Sequence, residues 1–369
     1  MKNISGSGKI GSRGGRRFAL LWIGVLVLAL SGCGQAESDT GTEAPVVIEQ
    51  AAVAAWEWPH ELPAAQGLDG AALAALHGAL EPTQVHAAVI AKGGSIVDEY
   101  YQDGYDAASV FTLQSCSKSI TSALIGIAID RGYIESVDVP IAEYFPQIAD
   151  SGSEYLQQVT IRHLLTHTSG IDSSDYEIWQ QWRDSENWVD YVLARPVVAA
   201  PGTSFIYSTG GTHLLSAILQ QAMGKTAYDF GKEVLFDPLG MDSVQCGTDA
   251  QGISDGGNGF AMNVYDMAKF GQLFLNGGEW QGQRIISADW IAASTGAQFE
   301  RPSGSADYGY QWWVRSFGGY DAFFAQGHGG QYIFVIPGLE LVIVFTSSYT
   351  GSSSMYWQFV NDIVAACEG

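Results

Sequence analysis

The order of the sequence predicts an α/β protein of the α+β kind, an antiparallel sheet flanked by N- and C-terminal helices with a helical region inserted at about 141–284. Three observations predict it: β-rich runs near residue 90, four more such runs after residue 310, and mostly helical patterning between them. Residues 85–101, VHAAVIAKGGSIVDEYY, form two β-rich runs around Gly93-Gly94, which marks a hairpin. Residues 113–132, LQSCSKSITSALIGIAIDRG, follow as a helix with no polar stripe, so it reads as buried. Helical spacing recurs over 161–167, 188–194, 213–223, 228–236, 264–276 and 288–294, several of these closed by glycine. Short strands at 310–314, 322–326, 332–336 and 341–346 are punctuated by glycine or proline, and 355–366 reads as a closing helix. Strands at both ends imply that the first and last of them meet in one sheet.

Composition bounds the functions open to this chain. Its 369 residues are 47% hydrophobic and 12% aromatic, which suits a large folded body and excludes a disordered one. Residues 1–33 lie outside that body: Lys2, Lys9, Arg13, Arg16 and Arg17 precede an apolar run of 13 residues at 18–30, short for a membrane span and right for a signal peptide. Leu30-Ser31-Gly32-Cys33 resembles the bacterial lipobox, which implies lipidation of Cys33 and a membrane-anchored protein of the cell envelope, facing periplasm or exterior. Residues 34–59 read as a tether, leaving 60–369 as the folded domain. Beyond Cys33 stand 12 basic and 39 acidic residues, a net charge of −27, which makes nucleic acid an improbable partner. Cys116, Cys246 and Cys367 remain; Cys246 and Cys367 read as unpaired thiols rather than a disulfide.

Lys118 is the one charge in the buried helix before Asp130. A buried ammonium either pairs with something distant in sequence or lowers its pKa and spends time neutral. Ser115 stands three residues earlier, so the two form a candidate nucleophile and base at the start of a helix, where backbone amides can receive an oxyanion. Ser-x-x-Lys alone is a weak signal, since Ser115 could cap the helix and Lys118 could snorkel. His163 and His167 share the i, i+4 spacing of a zinc pair, but with no glutamate or cysteine cluster beside them they read as packing residues, and no metal or other cofactor is expected. Trp179, Trp182, Trp312 and Trp313 read as core, with a cleft wall as the alternative.

Three further blocks join Ser115-Cys116-Ser117-Lys118: IRHLLTHTSGI at 161–171, FIYSTGGTHLLSAIL at 205–219 and GHGGQYIFVIPGLELVIVF at 327–345. With all four in this order the chain resembles, over about 60–369, the serine β-lactamase and penicillin-binding-protein superfamily, in particular the class C β-lactamase-related esterases and hydrolases. The resemblance implies a β-lactamase/transpeptidase-like fold with the active site between sheet and helical region. It implies Ser115 as the acylated nucleophile, Lys118 as general base and Tyr207 as a proton shuttle to the leaving group. Thr209 stands where the family has the asparagine that binds the substrate carbonyl. His328-Gly329-Gly330 matches the third motif, a substrate-binding element usually opened by lysine, and the backbone N–H groups of Ser115 and Gln331 match the oxyanion hole.

The reading these residues support is an exported serine hydrolase that acts through an acyl-enzyme on small esters or amides. β-Lactamase or D-alanyl-D-alanine carboxypeptidase activity is the alternative, and a non-catalytic binding protein on the same fold is a second one. His328 in place of lysine, and the lack of Lys or Arg after Arg315, argue against carboxylate-bearing substrates unless an arginine of the helical region, Arg162 or Arg183 for example, reaches the site.

Overall fold

The structure, a computed structural model, describes residues 57–367. Seven strands form one antiparallel sheet in the spatial order Ser95–Tyr101, Val85–Lys92, Leu341–Ser347, Gln331–Ile336, Tyr320–Gly327, Trp313–Phe317 and Asp307–Tyr308. The first and last strands do meet: Val89 lies opposite Val344 and Ala91 opposite Val342. Every residue of Gln331–Ile336 and Leu341–Ser347 is buried, because both faces of the sheet are covered. Alternate residues feed two cores. Ile90, Phe334, Ile343 and Phe345 pack with Tyr356, Phe359 and Val360 of the closing helix Ser354–Ala366, beside the N-terminal helix Gly70–Leu80. Val89, Ile333, Val342 and Val344 face Phe270 and the larger helical core. Helix Val264–Leu275 approaches so closely that a Cβ on Gly271 would stand 2.7 Å from Val342 Cγ1.

Between Ser95–Tyr101 and Asp307–Tyr308 the chain is mainly helical. Ser117–Asp130 is buried from Ser117 through Ala128, as its missing polar stripe predicts. Three of its hydroxyls meet distant backbone: Ser119 Oγ donates to Gln311 O at 2.7 Å, Thr121 Oγ1 donates to Gly256 O at 2.8 Å, and Ser117 Oγ accepts from Phe260 N at 3.1 Å, while the buried Ser122 Oγ has no hydrogen-bond partner. Helix Thr209–Met223 packs beside it, starting four residues earlier than its apolar spacing suggests. Gly210 and Gly211 lie within this helix, and packing leaves no room for a side chain at the first of them, where a Cβ would meet Val192 Cγ2 at 2.4 Å and Ser174 Oγ at 2.6 Å. The segment expected at 228–236 is a helix with a π-helical turn at Lys232–Phe236. A small sheet, Phe111–Thr112, Phe260–Met262 and Gln245–Cys246, brings the 255–259 loop back to the start of the buried helix. Trp58 is already packed, its indole donating to Tyr265 O at 3.3 Å. Cys116, Cys246 and Cys367 form no disulfide with one another. The signal peptide, Cys33 and most of the tether lie outside the described residues, and no described helix is long and apolar enough to cross a membrane.

Candidate active site

Ser115 sits in a single 3-10 turn, Gln114–Cys116, immediately before helix Ser117–Asp130. Gln114 has φ of 51°, a left-handed conformation that sets the turn and directs the next residue toward the cleft. Strand Tyr320–Gly327 presses on this turn, and only glycine fits there: a Cβ on Gly327 would lie 2.3 Å from Leu113 O. Cys116 Sγ donates to Gln331 O at 3.3 Å, tying the start of strand Gln331–Ile336 to the residue after Ser115. The backbones of Ser115 and Gln331, the two oxyanion-hole candidates, are thereby held by adjacent elements.

Lys118 is 1% exposed, and its Nζ donates three hydrogen bonds of 2.9 Å, to Ser115 Oγ, Thr209 Oγ1 and Gly257 O. Those three acceptors use all three N–H groups of an ammonium. Burial pushes its pKa down to about 8, against a partial upward pull from the Asp175 and Asp255 carboxylates. On losing one proton the amine gains a lone pair, which only a hydroxyl among these partners can satisfy by donating. Ser115 Oγ–H, which donates to Asn258 Oδ1 at 3.2 Å, needs only to rotate to reach it. The pair can therefore perform proton abstraction and nucleophilic attack.

Tyr207 stands with its ring centroid 5.0 Å from Lys118 Nζ and stacks on Trp313 at 6.1 Å. Thr209 begins the helix that packs against the nucleophile's own, and its N–H donates to Asp175 Oδ2 at 2.8 Å. The expectation that Thr209 serves substrate alone is incomplete: its hydroxyl accepts from Lys118, and a hydroxyl that accepts still keeps its own proton to donate. Ser115, Tyr207, Thr209 and His328 line a cavity of about 440 Å³ with Asn258, Asp175 and Trp179. Gly329 and Gly330, expected beside them, are not among its lining residues; a Cβ on Gly330 would lie 1.9 Å from Tyr356 Oη, so that glycine serves helix packing.

Asn258 and Asp175 escape the sequence reading. Asn258 reaches Ser115 across 143 residues, and its one local signal is its place in Gly256-Gly257-Asn258-Gly259 before a strand. Gly252-Ile253-Ser254-Asp255-Gly256 carries the spacing of a nucleophile elbow, Gly-x-Ser-x-Gly, but Ser254 is fully buried and its Oγ accepts from Tyr228 N at 3.1 Å. His163 accepts from Thr160 N at 3.1 Å as part of a capping box, and His167 packs on Tyr207 with ring centroids 4.4 Å apart, so the two serve different neighbours. Trp182 and Trp312 are core residues, whereas Trp179 forms a cavity wall. Arg162 is held by Asp138, with N–O distances of 2.7 and 2.9 Å, and Arg183 pairs with Asp255 while lying 4.0 Å from the Trp188 ring centroid. Neither arginine is a lining residue of the cavity.

An antiparallel sheet and a helical region that meet around a Ser–Lys pair place this chain among the serine hydrolases of the β-lactamase and penicillin-binding-protein superfamily. The family model described as Beta-lactamase matches residues 60–357, and the chain belongs to that family. The 6-aminohexanoate-dimer hydrolase of Paenarthrobacter ureafaciens is 26% identical over 302 residues, 75% of this chain and 76% of that protein. Esterase EstB of Burkholderia gladioli is 29% identical over 158 residues, 36% of this chain and 37% of its own. The class C β-lactamase of Rhodobacter sphaeroides superposes with a TM-score of 0.65 at 17% identity, covering 82% of this chain and all of that one.

Proposed function

We propose that this hydrolase cleaves small esters, or amides with little negative charge, through an acyl-enzyme on Ser115, and that it does so from a lipid anchor on Cys33 at the cell envelope. The observation that carries the chemistry is the buried Lys118 amine, with Ser115 Oγ and two other oxygens each at 2.9 Å. Neutral Lys118 takes the proton of Ser115 as Oγ attacks the substrate carbonyl carbon. The developing oxyanion receives the backbone N–H groups of Ser115 and Gln331. As the bond to the leaving group breaks, the proton passes from Lys118, by way of the Tyr207 hydroxyl, to the departing oxygen or nitrogen. Water then attacks the ester on Ser115 with the same groups working in reverse, releasing the acid and restoring the hydroxyl. Asn258 steadies the Ser115 hydroxyl between turnovers, and Thr209 offers its free O–H to the cavity.

Two relatives support this choice of substrates by name, one an amide hydrolase and one an esterase. Asp175 in the cavity wall, with Arg162 and Arg183 engaged elsewhere, supports it by charge. A decayed, non-catalytic site fits poorly with a lysine whose three protons are all placed. A fluorophosphonate probe tests the reading: intact-mass analysis is expected to find one covalent adduct, absent from Ser115→Ala. An adduct that survives that substitution removes Ser115 as the nucleophile.

A further inference from the structure

Tyr207 reaches the site on an extended segment, and one residue holds the backbone on both sides of it. His167 O accepts from Ile206 N at 2.8 Å, and His167 Nδ1 accepts from Ser208 N at 3.4 Å. Its ring also packs against the Tyr207 ring, with centroids 4.4 Å apart at 50°. Rotation about N–Cα swings a residue's carbonyl and side chain together relative to the chain before it, and residues other than glycine ordinarily keep φ negative. His167 instead has φ of 54°, just past the short helix Ile161–Leu165, and so turns both toward 206–208. Left-handed backbone at a residue other than glycine persists where the surroundings over-determine it, and such outliers concentrate at functional sites. Because Nδ1 accepts a backbone N–H, the ring proton sits on Nε2, a buried atom with no hydrogen-bond partner, in a ring that is only 2% exposed and packed near Phe205 and Tyr308. Burial and the nearby Lys118 charge hold the imidazole neutral, well below the usual histidine range. Protonation at Nδ1 would set two N–H donors against each other.

We propose that His167 is the positioning residue for Tyr207, its carbonyl and its imidazole fixing the 206–208 backbone so that the phenol stands beside Lys118. The proposal rests on the reading of Tyr207 as the path by which the proton reaches the leaving group. That step matters unequally among substrates. p-Nitrophenolate departs without a proton, whereas an aliphatic alkoxide or an amine must receive one. Loss of correct placement therefore penalises ethyl butyrate more than p-nitrophenyl butyrate, while a general loss of folded protein lowers both alike.

The test compares kcat/KM for these two esters in wild type, His167→Leu, His167→Asn and Tyr207→Phe, with active sites counted by fluorophosphonate titration. His167→Leu is expected to lower the ethyl-to-p-nitrophenyl ratio by about tenfold or more, within the effect that proton transfer can have. Asparagine tolerates left-handed backbone and can present an amide oxygen to Ser208 N–H, so His167→Asn is expected to keep the ratio within about threefold of wild type. An unchanged ratio in His167→Leu, or equal losses for leucine and asparagine, overturns the positioning role. Should the leucine variant fail to fold, a collapsed ratio in folded His167→Asn overturns it as well. If Tyr207→Phe leaves the ratio at the wild-type value, the reading of Tyr207 falls, and the role of His167 with it.

Discussion

Lys118 is a base because of what it lacks. Its three contacts are neutral oxygens, so burial is opposed only in part, chiefly by the Asp175 and Asp255 carboxylates, to which it makes no hydrogen bond, and the pKa settles at about 8. Below that value the ammonium has no lone pair to offer Ser115; above it the amine does. Catalysis should therefore rise about tenfold per pH unit up to pH 7 and level off above pH 8 to 9, as expected for a base that must lose one proton. A kcat/KM profile for p-nitrophenyl butyrate that stays flat from pH 6 to 9 would remove Lys118 from the rate-limiting proton transfer. Lys118→Ala and Lys118→Arg should each lower acylation by about 10²-fold or more, since arginine keeps the charge but cannot accept the proton. Near-normal turnover by the arginine variant would sink the base assignment.

The elements around this pair differ in how openly the sequence announces them. The buried helix at 117–130, the 85–101 hairpin and the late strands all carry apolar patterns that local spacing reveals, because each buries its side chains against neighbours with the matching period. The glycine pair at 210–211 hides the start of its helix, and at Gly210 the reason is tertiary: Val192 and Ser174 occupy the space a side chain would need. The 255–259 loop is equally opaque, because Gly257 and Asn258 meet Lys118 and Ser115 across 139 and 143 residues, and no local pattern encodes such a contact. Gly330 belongs to this group too. It matches a substrate-binding motif, yet the closing helix lies against it, with Tyr356 Oη where a Cβ would go and its own φ at 89°. Gly330→Ala should therefore lower stability by about 1–3 kcal/mol through overpacking and backbone strain, with KM of the folded enzyme little changed. Urea denaturation alongside steady-state kinetics checks this, and a raised KM at unchanged stability would return Gly330 to the substrate.

At the scale of the whole molecule, charge and the proposed lipid anchor decide what the site meets. Cys33→Ser should shift the protein out of the membrane fraction or leave its precursor uncleaved, and wild type should incorporate labelled palmitate; no incorporation would overturn the lipid anchor. The net charge beyond Cys33 is −27, an acidic balance that disfavours the approach of anions, most strongly at low salt. Inside, Asp175 adds another negative group, Lys118 is engaged with three oxygens, and His328 is the side chain of the third motif that faces the cavity. A β-lactam or a D-alanyl-D-alanine end carries a carboxylate that needs a fixed cation there, and His328 stands where the third motif usually places a lysine. Arg162 and Arg183 are bound to Asp138 and Asp255. The enzyme should consequently turn over p-nitrophenyl butyrate with a kcat/KM at least about tenfold above that for nitrocefin, with nitrocefin gaining on the ester as salt screens the field. Measuring both substrates on purified protein at low and high ionic strength decides it. Nitrocefin hydrolysis as efficient as that of the ester would show that a cation reaches the substrate carboxylate after all, while leaving attack by Ser115 untouched.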